Sequence, residues 1–404
     1  MYDLLSVRRD FPVLAREING KRNTFLDSAA SAQKPQVVID KIVDIYTKSY
    51  ANVHRGSYQL SEEITSEYEQ ARKTVQKFIN AKSEQEIVFT RNATEAINLV
   101  AFTWGRKFLT KMDEVLISEA EHHANLVPWQ MLRDEIGFEL KIFKIKDDGS
   151  FDWEEYCKLL SGKTKLVAVT GMSNVLGTVF PLKEMISSAH AVGAKFLIDG
   201  CQYVVHHPTD VQDLDCDFLA FSGHKTYGPT GIGVLYGKYD LLNAMPPYQF
   251  GGDMVNIVTY QATTFDVPPA RFEAGTPAIV QAIGLGAALE YMMNLGMINI
   301  YQHEQELTNY MHRRLKEVDG LIEVGTAEGK GGVFSFLIEG VHPQDLAFIL
   351  DKEGVAVRVG HHCAAPLIRR MGYEALARAS LGLYSDQEDV DTFIAALQKA
   401  KTFF

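Results

Sequence analysis

An acid and an amine stand out: Asp199 in "FLIDG" and Lys225 in "DFLAFSGHK", each directly behind a short apolar run. In an open α/β sheet, ligands collect outside the carboxyl ends of the strands, so both side chains are placed to meet one. Alone, Asp199 before Gly200 reads better as a turn residue. Lys225, among Gly223, Gly228, Pro229 and Gly231, reads as an exposed loop lysine. The pair changes the odds. A lysine that can bond a carbonyl carbon and a carboxylate that can hold a ring nitrogen protonated are the two groups pyridoxal phosphate requires. Ser222 and His224, beside the lysine, supply donors for a phosphate.

Three more stretches bear on the same chemistry. In "TRNATEAINLVA", Asn92 and Glu95 have capping-box spacing, so a helix starts here and offers its first amides and the Thr94 hydroxyl to an anion. Capping alone also accounts for both residues. In "EAEHHANLVPW", His122 and His123 follow another apolar run. The readings are an imidazole that stacks on a planar ring and moves protons, a surface pair, or a metal site; no HExxH spacing supports the last. In "VRVGHHCAAPLIRRMG", Cys363 is flanked by Arg358, His361 and His362. Cationic neighbours and free amides draw a thiol toward thiolate. A buried structural cysteine is the ordinary alternative, and a zinc site lacks a fourth ligand at this spacing. Arg378 in "LARASLG" can clamp a carboxylate bidentately.

These residues need elements to hold them. Short β-branched-rich runs at Glu86–Thr90, Glu114–Ser118, Lys165–Thr170, Lys195–Asp199 and Asp217–Phe221 are mostly separated by helix-like stretches, such as Thr94–Trp104, Ala124–Ile136 and Leu182–Val192. The alternation predicts an α/β domain with a mostly parallel sheet covered by helices. After about Pro277 a helix-rich segment leads to strands near Val333–Ile338 and Ala356–Val359 and a final helix near Gln387–Ala400. We therefore expect a large domain over residues 21–290. A smaller α+β domain is expected from residues 1–20 with 291–404, carrying the Cys363 loop, and the boundary near 290 can fall inside one long helix.

The net charge of −11 has the wrong sign for nonspecific nucleic-acid or anionic-membrane binding. The run Ala278–Ile298 is the most membrane-like, but Gln281, Glu290 and Asn294 interrupt it, so a packed helix is expected. The amino-terminal stretch lacks a secretion-signal pattern. Cys157, Cys201, Cys216 and Cys363 form no CxxC pair, which suits a reducing cytoplasm.

In order along the chain, "LDSAASAQKP", "ANVHRG", "TEAINLVA", "EHHANLVPWQ", "SNVLGTVFP", "IDGCQ", "SGHKTYGPTGIG", "FEAGTP", "GHHCAAPL" and "RASLGLY" resemble the SUF-type (group II) cysteine desulfurases, class V aminotransferase-fold enzymes that use pyridoxal 5'-phosphate. The resemblance implies the fold type I architecture of PLP-dependent transferases, and it implies roles. Lys225 bonds the cofactor covalently, Asp199 faces its ring nitrogen, Gln202 its phenolic oxygen, and His122 stacks on the ring. Thr94, the Ala93 amide, Ser222 and His224 hold the phosphate. Thr276 reaches the phosphate of a second subunit, which implies a homodimer with shared sites. Asn174 and Arg378 bind the substrate carboxylate, with His54, Arg55 and Arg358 on the wall of the site. Cys363 takes sulfur from L-cysteine as a persulfide, leaves L-alanine, and passes the sulfur to an acceptor protein for iron–sulfur cluster assembly. Metal takes no part. Two departures from the family stand out: Ala93 replaces a threonine, and Cys201 stands where a small alanine-like residue is common. Cys201 is then inert packing or an off-path nucleophile. Selenocysteine lyase and cysteine sulfinate desulfinase are the alternative activities on this fold, and neither needs the thiol. A kynureninase- or transaminase-like enzyme, or a non-catalytic metal- or partner-binding protein, lies further away.

Overall fold

The structure, a computed structural model, describes residues 2–403. Runs rich in Val, Ile, Leu and Phe form strands buried on both faces, as a sheet covered by helices on each side requires. The strand Lys195–Asp199 is flanked by Thr164–Thr170 and Phe218–Ser222, all three parallel. Glu114–Ser118 and the edge strand Glu139–Phe143 continue the parallel array. On the other side Gly233–Gly237 runs antiparallel between Phe218–Ser222 and Ile87–Thr90, completing seven strands. The expected mostly parallel α/β sheet is therefore present, with one strand reversed.

Register brings the strand ends together. Asp199 pairs with Thr170 and Ala220, Ser222 with Gly233, and Gly233 with Thr90. Gly233 is a glycine for a steric reason: a Cβ there would lie 2.5 Å from the Cα of Asn92. That close approach sets the helix Ala93–Val100 against the end of the Ser222 strand. Asn92 caps the helix, its side chain accepting from the Glu95 amide at 2.9 Å.

The helix Ile279–Leu295 is apolar nearly all round because it is packed on several sides. Gly286 lies so close to the helix Gln59–Phe78 that a Cβ would come 3.0 Å from the Cβ of Ala71. Among the described residues, no helix is long and apolar enough to cross a membrane. Gly296, at φ 86°, ends this helix and starts the next, Met297–Leu315.

The carboxyl-terminal part forms an antiparallel sheet in the order Leu321–Val324, Val333–Ile338, Leu376–Ser380, Arg358–Gly360. The helices Met297–Leu315, Pro343–Lys352 and Gln387–Lys401 share its core. Thr24–Phe25 pairs in parallel with Val355–Ala356, and Asp27 bridges Ser380. The segment around residues 24–27 is thus hydrogen-bonded to the carboxyl-terminal part of the chain, although it lies beyond residue 20.

Candidate active site

A cavity of about 220 Å³ opens at the carboxyl ends of the strands that end in Asp199 and Ser222. Ala93, Thr94, His122, Asn174, Asp199, Gln202, Ser222, His224, Lys225, Arg358, Cys363 and Arg378 all line it. Twelve of the fifteen residues to which the resemblance gives roles therefore meet in one place. They come from both parts of the chain. The large sheet gives the acid, the amine and the anion donors; the strands Arg358–Gly360 and Leu376–Ser380 and the turn after Gly360 give the cations and the thiol.

The donor set suits a phosphorylated pyridine aldehyde. Asp199 is buried, and one carboxylate oxygen accepts the Cys201 amide at 3.0 Å. Among the described residues the Lys225 Nζ has no hydrogen-bond or ion-pair partner, so nothing competes for it. At the opposite end the Ser222 Oγ accepts the Ala93 amide at 2.9 Å. The Thr94 amide and hydroxyl remain at the helix start, where N–H dipoles favour an anion. His224 lies against the Ser31 hydroxyl at 3.2 Å; burial, then Lys225, push its pKa down to about 4. Gln202 is buried and donates to the Ala29 carbonyl at 2.8 Å.

His122 caps its own turn, its Nδ1 accepting the Ala124 amide at 3.0 Å. That bond leaves the proton on Nε2. Burial, then Lys225, lower its pKa to about 4, so the ring is neutral at ordinary pH. The preceding Glu121 is fully buried and held by the Ser118 hydroxyl, the Thr170 amide at 3.0 Å and the Asn125 amide at 2.7 Å. Burial pushes its carboxyl up to about 8.

Arg378 is 2% exposed, yet it carries a guanidinium into the cavity wall. Its Nη1 donates to the Asn174 carbonyl at 2.8 Å, its Nη2 reaches Asp27 at 3.3 Å, and its Nε has no partner. Burial lowers its pKa to about 10, still charged at neutral pH. Asn174 spends its side-chain amide on the His362 carbonyl at 2.8 Å. The turn carrying the thiol is strained, with His362 at φ 50° and Cys363 at φ 56°. Left-handed backbone costs an L-residue roughly 1–2 kcal/mol. Cys363 itself is exposed.

One sequence expectation fails at this turn. His362 is not a cation beside the thiol: its Nε2 donates to the Leu376 carbonyl at 3.1 Å, and burial, then Arg378, push its pKa down to about 3. Arg358 and Arg378 are the charged neighbours. Cys201 sits 4.0 Å from the Ser222 Oγ, and burial, then Asp199, raise its thiol to about 12, which keeps it protonated. Among the described residues no cluster of three or more His, Cys, Asp and Glu side chains is arranged to hold a metal ion.

His54, Arg55 and Thr276 lie elsewhere. His54 is hydrogen-bonded to Glu69 at 2.9 Å and packs edge-on to Tyr68; Arg55 pairs with Asp253 at 2.7 Å. Thr276 shares a separate groove with Tyr68 and Glu273. Sequence reasoning missed Asp27, the counter-ion of Arg378, and Glu121, the acid behind His122. Asp27 directly follows an apolar run, as Asp199 does, a signal that could have found it; Glu121, three residues past the strand Glu114–Ser118, carries no such signal.

Lysine and acid at neighbouring ends of a parallel sheet, an anion cradle at a helix start, and a small sheet supplying the far wall define a class of PLP-type enzyme. The class V aminotransferase family profile matches residues 24–393. A cysteine desulfurase of Pectobacterium atrosepticum is 50% identical over 98% of this chain and 98% of its own. One from Synechococcus elongatus is 48% identical over 99% of this chain, which spans 64% of that longer protein. Among solved structures, a cysteine desulfurase from Escherichia coli superposes with a TM-score of 0.93 at 37% identity, covering all of both chains. The apo cysteine desulfurase of Thermococcus onnurineus gives 0.94, also at 37% identity, over 99% of this chain and 98% of its own. The chain belongs to the class V aminotransferase family, among its cysteine desulfurases.

Proposed function

We propose that the protein converts L-cysteine to L-alanine, holding the sulfur on Cys363, in the manner of the SUF-type subgroup. The observation that carries this is a thiol on a strained, exposed turn facing the same cavity as an unpartnered lysine and a buried acid. Pyridoxal phosphate, held by Lys225, Asp199, Gln202, His122 and the Ala93–Thr94, Ser222 and His224 cradle, would supply an electron sink conjugated to the substrate's Cα.

The protein's residues do the rest. Arg378 lines the cavity and would take the substrate carboxylate, with Asp27 and the Asn174 carbonyl fixing the guanidinium. Lys225 takes the Cα proton. Neutral His122, with its proton on Nε2, can hand one on within the cavity. Cys363 Sγ then bonds the substrate sulfur while the Cβ–S bond breaks. The electron pair stays on carbon, which takes a proton to become the methyl of alanine, and Lys225 returns the proton to Cα. Cys201, protonated, stays out of the exchange.

Two companions follow from the surface. The hairpin Val255–Val258 with Thr263–Phe265 carries Ile257 and Val258 exposed and Tyr260 fully so, near exposed Phe250. An apolar tip of this kind calls for cover. We assign it to a homodimer in which Thr276, His54 and Arg55 serve the second copy's cavity. The exposed turn suits delivery of the persulfide to an acceptor protein, in iron–sulfur cluster assembly, and four unpaired cysteines suit the cytoplasm. We also keep the division into a large cofactor-binding domain and a small domain carrying the thiol.

The test is alanine formation from L-cysteine with a reductant present, in wild type and Cys363→Ala. Alanine from the first and almost none from the second is expected. Equal rates would remove Cys363 from the reaction and point to selenocysteine or cysteine sulfinate as substrate.

A further inference from the structure

The strained turn that carries Cys363 is held from outside, and much of the grip comes from one residue. The main-chain N–H of His123 donates to the Cys363 carbonyl at 2.7 Å. Its ring Nε2 accepts the Ala365 amide at 3.1 Å. Asn174 adds a third bond, to the His362 carbonyl, at 2.8 Å. Two consecutive non-glycine residues in the left-handed region do not persist without such restraint. His123 is therefore not a spare neighbour of His122: its main chain and side chain grip the backbone on the carboxyl side of the thiol-bearing residue, and Asn174 holds the amino side.

We propose that His123 is the positioning residue that holds the Cys363 turn in its reactive presentation. This rests on the reading of Cys363 as the sulfur acceptor. The ring can accept from Ala365 only while Nε2 is unprotonated, so the clamp opens on acidification. His122 lies on its own turn, and His361 and Cys363 face it from across the clamp. Burial, then His361, hold the His123 ring below the ordinary imidazole range, so the clamp stays closed at neutral pH.

The test uses the full-length holoenzyme and three proteins: wild type, His123→Ala and His123→Gln. Alkylation of Cys363 by iodoacetamide is followed by mass analysis of its peptide from pH 5 to 8.5, alongside alanine formation from L-cysteine. At pH 7.5 the alanine variant should alkylate roughly three- to tenfold faster and turn over more slowly by a similar factor, as loss of one hydrogen bond implies. The glutamine variant, whose side-chain oxygen accepts at any pH, should restore the wild-type alkylation rate. On acidification the ratio of wild-type to glutamine-variant rates should rise, because only the wild-type clamp opens; a ratio cancels the thiol's own titration. Equal alkylation of wild type and His123→Ala, or a glutamine variant no nearer wild type than alanine, overturns the assignment. An inactive Cys363→Ala enzyme beside such a result would sink the positioning role alone and leave the desulfurase reading standing.

Discussion

Glu273 offers the sharpest test of how the strand before Thr94 is tied to the segment before Thr276. Its carboxylate meets the buried Arg72 guanidinium twice, at 2.7 and 2.9 Å, accepts the Phe89 amide at 2.7 Å and the Tyr68 hydroxyl at 3.2 Å. Phe89 lies on the strand that leads to Thr94, and Thr276 is three residues beyond Glu273. Glu273→Ala strands a guanidinium that is 3% exposed. Removing one member of a buried ion pair costs about 3–5 kcal/mol. Glu69 still touches the Arg72 Nε at 3.0 Å, which puts the loss near the lower end, about 3 kcal/mol. For a chain of 404 residues, unfolding entropy of about 2 cal/mol/K per residue turns that into a fall in Tm of about 3–4 °C. Thermal unfolding followed by circular dichroism reads it. Glu273→Gln, which keeps an acceptor but not the charge, should fall between. Arg72→Met with Glu273→Leu should recover most of the loss, since no charge is then stranded. A single variant within 1 °C of wild type by the same assay, or a double variant no better than the single, would refute the reasoning.

Three further outcomes are expected. Gly233→Ala should release cofactor readily on dialysis, because its Cβ would drive Asn92 and the anion-binding helix start off the sheet; normal retention would show that the helix can shift without harm. Asp27→Asn should raise the KM for L-cysteine roughly tenfold with kcat little changed, as loss of a charged hydrogen bond to Arg378 implies. An unchanged KM would mean that the Asn174 carbonyl alone orients that guanidinium. Acid should destabilise the fold between pH 6.5 and 4. His122, His207 and His224, pushed down to about 4, and His362, to about 3, stay neutral when folded and take up protons on unfolding. The stability tied to their neutral form is complete above the unfolded pKa of about 6.5 and drains away as pH falls. Glu121, raised to about 8, and Asp27 and Asp389, raised by burial, act in the opposite sense, but the four histidines outnumber them. A urea midpoint flat across that window would contradict this.

The strands that carry chemistry were legible because they are buried on both faces. Glu114–Ser118, Lys195–Asp199 and Val333–Ile338 are continuous apolar runs, and their ends fall where composition places them. The edge strand Glu139–Phe143 was not read, because the charged Glu139 and Lys141 break the apolar signal. The helix expected over Ala124–Ile136 starts at Val127, since His122 first caps a short tight turn. His362 was misread as a cation because a sequence shows that histidine neighbours arginine but not that its ring is buried against the Leu376 carbonyl.

The sequence by itself determined the chemistry available: one amine and one acid at neighbouring strand ends, a capped helix start, and a thiol in a Gly-His-His-Cys turn. Those follow from local rules, of strand burial, capping and turn chemistry, that act within a few residues. Only the tertiary structure decided which groups share a cavity and in what state. Asp27 reaches Arg378 across most of the chain, and His123 grips a turn far away in sequence. Four histidines, His122, His207, His224 and His362, are neutral because of what is packed around them. Distance, burial and the field of distant charges are properties of the folded whole, and no short stretch of residues contains them.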